Sequence, residues 1–233
     1  MILNCDAKSL EVVGAAYLSQ DPVMMQELLA GVDMHSRNQG DFGLPSRLIA
    51  KILIFRTIYG GNEYSFANDP DFTCVSSSTK YWKKVLDQFF DKYRGLAEWH
   101  NNLIREVTST GKYVNPTSGR MYSYSRTQGG DWPVTQIKNY PVQGLGADIM
   151  SIARVSFKRR FDDLKIPGVI VNSIHDSIVV DVPSTEVQHV SELFHAVFRD
   201  LPSNFKRIFG VDFNLPLLCE VQYGPNMKEL IDV

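Results

Sequence analysis

Two apolar runs, GVIVNSI (168–174) and IVVDV (178–182), stand apart by only His175, Asp176 and Ser177, and no other stretch restricts the fold so tightly. Short runs rich in valine and isoleucine predict strands, and a gap this small closes as an antiparallel hairpin. Asp176 then sits at its tip. Charge held between two apolar strands is unfavourable unless something compensates it. Read alone, Asp176 serves equally well as a turn residue, because aspartate hydrogen-bonds its own backbone in turns.

A second carboxylate changes the balance. MILNCD (1–6) is a short apolar run ending in Asp6, which predicts a buried strand delivering that side chain to the edge of a sheet. If the two strands are neighbours, Asp6 and Asp176 can converge on a divalent ion. Magnesium takes a few carboxylates and fills its remaining positions with water and substrate phosphates. A pair of such ions clamps the attacking and leaving oxygens of an in-line phosphoryl transfer.

The complement to those charges is PSRLIAKILIFRTIYG (45–60). Arg47, Lys51, Phe55 and Tyr59 recur at intervals of four, so they share one slowly drifting stripe of a helix. One reading is an amphipathic surface helix. The other is an anion-binding face, since a triphosphate needs positive charge on its metal-free side and Arg47 with Lys51 one turn on could line it. His35 adds a donor upstream. Phe55 and Tyr59 then face sugar and base, so the order along the stripe follows the order of groups along a nucleotide.

The remaining pattern is mixed. A helix is expected over 9–18, and Asp21-Pro22 reads as an N-cap with proline at the first helical position, opening a second helix toward Ala30. Gly60-Gly61 ends the arginine helix, and 62–78 is polar and irregular, expected as loop around at most one short helix. From Thr79 the chain turns strongly amphipathic, with Trp82, Val85, Leu86, Phe89, Tyr93, Leu96, Trp99 and Leu103 on one face and a bend at Gly95. These aromatics read as core rather than as a base-stacking platform. NPTSG between β-prone flanks predicts a hairpin over 111–124, and Gly129-Gly130 marks a return from one subdomain to another. Asn139 and Gln143 precede a long helix over about 146–161 with Lys158, Arg159 and Arg160 on its solvent face; a helix over 185–201 and a final strand over 215–221 complete the chain.

A net charge of −2 announces no global field for nucleic acid, although a groove needs only local charge. Cys5, Cys74 and Cys219 are odd in number and widely spaced, which suits reduced thiols in a cytoplasmic protein. No apolar run approaches the roughly 18 residues of a membrane span, and no signal peptide is visible, so no membrane partner is expected.

These residues closely resemble the motifs of family A DNA polymerases, the bacterial polymerase I and phage replicase group. CDAKSLEVVGAAYLSQD resembles their first palm motif, with Asp6 at the metal ligand and Glu11 at the steric gate. The fingers motif R-x3-K-x3-F/Y-x3-Y-G is matched by Arg47, Lys51, Phe55, Tyr59 and Gly60, and the His-Asp motif by His175 and Asp176. DMHSRNQ, GKYVNPTSGRMY, NYPVQGLGAD and LPLLCEVQYGPNM resemble further family segments in the same order, so the likeness runs from Met1 to Met227. It implies an α+β fold, with an antiparallel palm sheet and packed helices formed by 1–20 and 127–233, and a mainly helical fingers subdomain in 21–126. It also implies template-directed DNA synthesis from primer-template DNA and dNTP. Asp6, Asp176 and the carbonyl of Ala7 would hold two Mg2+ ions. Arg47 and His35 would contact the β and γ phosphates, while Lys51 would neutralise the α-phosphate and protonate the leaving pyrophosphate. Phe55 would pack on the deoxyribose; Glu11, bonded to Tyr59, would exclude a 2′-hydroxyl. Asn139, Gln143 and His175 would contact the primer-template, the first two at the minor-groove edge, whose acceptor pattern is nearly independent of sequence. In the family, Phe rather than Tyr at the Phe55 position goes with rejection of dideoxynucleotides. Phe55→Tyr is therefore expected to raise dideoxynucleotide incorporation in a chain-termination assay.

Three positions depart from the pattern. Val13 replaces an arginine, Ser177 a third carboxylate, and Thr135 an arginine, which implies a weaker hold on the duplex. The likeness opens at the strand of Asp6, so a second protein chain is expected to supply the thumb and any 3′–5′ exonuclease. Two other readings share these residues. A single-subunit RNA polymerase would lack the gate carboxylate that Glu11 provides. A non-catalytic remnant, binding DNA or a replication partner, would have lost metal ligands that this chain retains.

Overall fold

The computed structural model describes residues 1–233. In chain order the first elements are β1 (Ile2–Ala7), α1 (Leu10–Ser19), α2 (Pro22–Leu29), α3 (Met34–Asp41), α4 (Arg47–Ile58), α5 (Glu63–Asn68), α6 (Pro70–Thr73), α7 (Thr79–Lys92) and α8 (Arg94–Thr110). There follow β2 (Lys112–Val114), β3 (Met121–Ser123), α9 (Val134–Asp163), β4 (Val169–Ile174), β5 (Ser177–Asp181), α10 (Val187–Phe209), β6 (Cys219–Gly224) and β7 (Ile231–Asp232). They form two compact units, one of residues 1–10 with 144–233 and one of 11–143. The fold is the expected mixture of helices and antiparallel sheet, and no helix is long and apolar enough to cross a membrane.

The first unit is built on a sheet of order β4-β5-β1-β6-β7 with every pairing antiparallel. Its hairpin turns at His175-Asp176, as the two apolar runs predict. β1 alternates along its length, with Leu3, Cys5 and Ala7 buried and Asn4 and Asp6 half-buried. It is the middle strand, where the sequence suggested an edge; the carboxylate lies near the strand's end, not at the sheet's margin. Helix α10 buries Val190, Phe194, Val197, Phe198, Leu201 and Phe205, and the Phe194 ring stacks on Phe157 of α9 at 4.0 Å. Each such side chain contributes about 1.5–3 kcal/mol of burial free energy, which offsets the loss of one backbone donor where a proline interrupts the helix.

Two helices run through their prolines, with Ile137 buried ahead of Pro141 and Phe205 buried beyond Pro202. α9 spans 30 residues and runs through Pro141, so Asn139 and Gln143 lie within it rather than ahead of it. α10 likewise continues through Pro202 to Phe209, eight residues past the expected end. β6 starts at Cys219, later than expected, beyond the Pro216 that cannot donate to a ladder.

The second unit is mainly helical. Trp82, Val85, Leu86, Phe89, Tyr93, Leu96 and Leu103 are buried as the amphipathic pattern requires. The expected single bent helix is two, however, because Tyr93 leaves the helical region at φ −108°, ψ 65°. Residues 62–78 contain two short helices, not one. Asn62 and Ser65 form a reciprocal capping box for α5, and Asp69 caps α6 by accepting from Asp71 N–H. The β2–β3 hairpin packs Tyr113 against Leu103, Val107, Tyr124 and Ile137.

Candidate functional site

The carboxylates come first. In the sheet Asp6 is the cross-strand partner of Ser177 on β5 and of Glu220 on β6. The Ala7 N–H donates to the Asp176 carbonyl at 2.9 Å, which docks the His175-Asp176 turn onto the end of β1. His175 supplies the turn's left-handed residue at φ 50°, and the Ser177 hydroxyl closes it by donating to the Ile174 carbonyl at 3.0 Å. Ser177 is buried, and its hydroxyl serves the hairpin. Glu220 is paired with Lys8 at 3.1 Å. Asp6 and Asp176 are both half-buried at this end. No group of three or more His, Cys, Asp and Glu side chains converges on a point. That donor set cannot cage zinc, but it fits magnesium, which leaves most of its positions to water and phosphate.

The cations lie in the second unit. Ser46 caps α4 by accepting from the Ile49 N–H at 3.2 Å, and Ala50, Leu53, Ile54, Thr57 and Ile58 form its buried face. Gly60, at φ 91°, takes the left-handed conformation that ends it. The opposite stripe carries Arg47 and Lys51, both exposed, then Phe55 and Tyr59, both half-buried. Lys51 Nζ lies 5.7 Å from the centre of the Phe55 ring. Arg56 ties the helix to α6, pairing with Asp69 and Asp71 while its guanidinium lies over Phe72.

His35 stands against this stripe. Its ring meets Phe55 edge-on at 5.7 Å, and only 5% of the residue is exposed. Burial, assisted by the Arg47 and Lys51 charges, holds its pKa below the ordinary histidine value. At neutral pH it is therefore a neutral imidazole, and its Nδ1 has no hydrogen-bond partner. Helix α3 is fixed in place by Asn38, whose Nδ2 donates to the Tyr93 hydroxyl at 2.8 Å and whose Oδ1 accepts from Lys92 Nζ at 2.9 Å. The Tyr93 hydroxyl in turn donates to Glu27 at 2.8 Å.

Glu11 is in the first turn of α1, half-buried, where its charge also favours the helix N-terminus. Asn139 and Gln143 fall one turn apart on α9, and the Asn139 Oδ1 is enclosed without a partner.

One pairing escaped the sequence reading. Asp33 caps α3 and also pairs with Arg47, with Nε to Oδ2 at 2.7 Å and Nη2 to Oδ1 at 3.2 Å. The Arg47 guanidinium holds the Asp33 carboxyl well below the usual carboxylate range. The pair thus contributes above the unfolded carboxylate pKa and is lost only as pH falls through that depressed value. In the sequence Asp33 opens the DMHSRNQ segment ahead of a helix, a place that predicts a cap but no pairing with Arg47.

Comparisons with known proteins agree on one family. A model described as DNA polymerase family A matches residues 1–229. Relatives include a DNA polymerase I of Aquifex aeolicus, 26% identical over 81% of this chain and 33% of its own length. Another, from Caldicellulosiruptor bescii, is 24% identical over 98% of this chain and 27% of its own length. The chain spans a third or less of these relatives. A solved structure, the POL domain of Pol1 from M. smegmatis in complex with DNA primer-template and dNTP, aligns over 96% of this chain and 39% of its own. The TM-score is 0.78 at 20% identity, a likeness of fold.

Proposed function

Because this chain belongs to DNA polymerase family A, we propose that it carries the nucleotidyl-transfer chemistry of a template-directed DNA polymerase, adding deoxynucleotides to a primer 3′-hydroxyl. The observation behind this reading is the bond from Ala7 N–H to the Asp176 carbonyl, which brings the His-Asp turn to the strand end that bears Asp6. Residues 1–20 and 127–233 would form the palm and 21–126 the fingers. The duplex grip and any proofreading would come from polypeptide beyond these residues, on this chain or a second one.

In this reading Asp6, Asp176 and the Ala7 carbonyl hold two Mg2+ ions, which when bound lower the pKa of the primer hydroxyl and screen the triphosphate. Arg47 and neutral His35 donate to the β and γ phosphates. Lys51 neutralises charge growing at the α-phosphate and supplies a proton to the departing pyrophosphate. Such pre-placed donors stabilise developing charge without reorganising at the moment of reaction. Phe55 bears on the sugar, and Glu11 occupies the space of a 2′-hydroxyl. Asn139, Gln143 and His175 touch the primer-template.

Primer extension with magnesium and deoxynucleotides, by the chain alone and with extract of its source, tests activity and dependence on a partner together. Retained DNA binding without extension in either arm would favour the non-catalytic reading. Glu11→Ala is expected to raise ribonucleotide over deoxynucleotide incorporation roughly tenfold, the ratio that a clash of about 1.4 kcal/mol enforces. Unchanged sugar selectivity would remove Glu11 from the gate.

A further inference from the structure

Asp33 does two jobs with one carboxylate. Its Oδ1 accepts from the His35 and Ser36 N–H groups at 3.1 and 3.4 Å, and its Oδ2 accepts from the Ser36 hydroxyl at 2.8 Å. That cap requires an oxygen but no charge, since asparagine and serine cap helices as well as aspartate does. The charge is spent on Arg47. Both carboxylate oxygens engage the Nε–Nη2 edge of the guanidinium, the fork that arginine also presents to phosphate. The two side chains are 54% and 45% exposed, so the pair exchanges readily with another anion.

We infer that Asp33 is a positioning residue of the nucleotide site, holding Arg47 in a nucleotide-free posture from which the β and γ phosphates of a triphosphate must displace it. This rests on the nucleotide reading of Arg47 above. Two effects act with the same sign. Carboxylate and phosphate contend for the same N–H donors, and a displaced carboxylate still repels the incoming polyanion from close range. Arg47 needs no help from Asp33 to find its place, because its backbone is already set in the first turn of α4, one residue after the Ser46 cap. Asp33 therefore raises the threshold for loading, and it does so selectively. A nucleoside monophosphate has no β or γ phosphate and is indifferent to it.

The test is equilibrium binding of a dNTP and of the matching dNMP, each with magnesium, to the whole chain and to Asp33→Asn, Asp33→Ser and Arg47→Ala. Both Asp33 variants keep a capping oxygen, and thermal unfolding near the parent temperature confirms a folded state. Loss of the carboxylate is expected to tighten dNTP binding about three- to fivefold, the exchange value of a half-exposed ion pair, and to leave dNMP binding unchanged. In the Arg47→Ala background the gain should shrink to the smaller part that direct repulsion by the carboxylate supplies. Arg47-dependent dNTP binding that is unchanged or weakened in both Asp33 variants overturns the inference alone. A dNTP affinity indifferent to Arg47→Ala takes down the nucleotide reading of that arginine, and the inference with it.

Discussion

Asp176→Asn is expected to lower nucleotide incorporation roughly 1,000-fold or more, the scale on which charge stabilisation at a transferring phosphoryl group operates, while leaving DNA binding intact. The substitution removes charge and little else. Asparagine suits turns for the same local reasons as aspartate. The features that shape this turn belong to its neighbours: the left-handed His175, the Ser177 hydroxyl on the Ile174 carbonyl, and the bond from Ala7 N–H to the backbone of residue 176. None needs the carboxylate. Single-turnover incorporation and fluorescence anisotropy on a labelled primer-template separate chemistry from binding. Incorporation within tenfold of the parent would make Asp176 a turn residue after all. Asp6→Asn supplies the control from a regular strand, because β1 keeps its full ladder with β5 and β6 whatever side chain stands there.

How much of this was legible in the sequence depends on the range of the interaction that decides each element. The β4–β5 hairpin, the Asp21-Pro22 start of α2 and the glycine end of α4 are set by adjacent residues, and all three stand where the sequence puts them. Pro141 and Pro202 mislead for the opposite reason. A proline reads locally as a break, but the burial of Ile137 on the near side of Pro141 and of Phe205 on the far side of Pro202 holds the flanking turns in place. Asn62, Ser65 and Asp69 mark helix starts, yet in sequence they are indistinguishable from the polar residues of a loop. The middle position of β1 is a matter of strand order, which no local pattern encodes. At the candidate site Arg47, Lys51, Phe55 and Tyr59 stand out in the sequence because their spacing has a helical period, and Asp176 because it fills a hairpin gap. The Asp33–Arg47 pair has no such period and emerges only when α3 and α4 are packed together.

The largest stability effect is expected at a residue of which the sequence discloses half. Asp21 is fully buried, and its Oδ1 accepts from the Val23 and Met24 N–H groups at 3.0 and 2.9 Å, capping α2 as its place before Pro22 implies. Its Oδ2 accepts from the Gly95 and Leu96 N–H groups at 2.7 and 3.2 Å. One carboxylate thus serves the first turns of two helices. α8 has no other side-chain cap, since Tyr93 at its N-cap position offers none. Asp21→Ala should destabilise the chain by about 3 kcal/mol or more, from two caps of roughly 1 kcal/mol each and the buried donors left unpaired. Asp21→Asn should lose less, because one oxygen can still cap α2 while its amide N–H groups confront the donors of α8. Gly95 reaches the same contact from the other side. A Cβ there would lie 2.8 Å from Asp21 Cα, so Gly95→Ala should push the two helix ends apart with the carboxylate intact. Urea unfolding of the two single variants and the double mutant gives the decisive comparison. If both act by breaking one junction, the double mutant loses clearly less than the sum, whereas strict additivity would mean that the carboxylate and the glycine stabilise the fold separately.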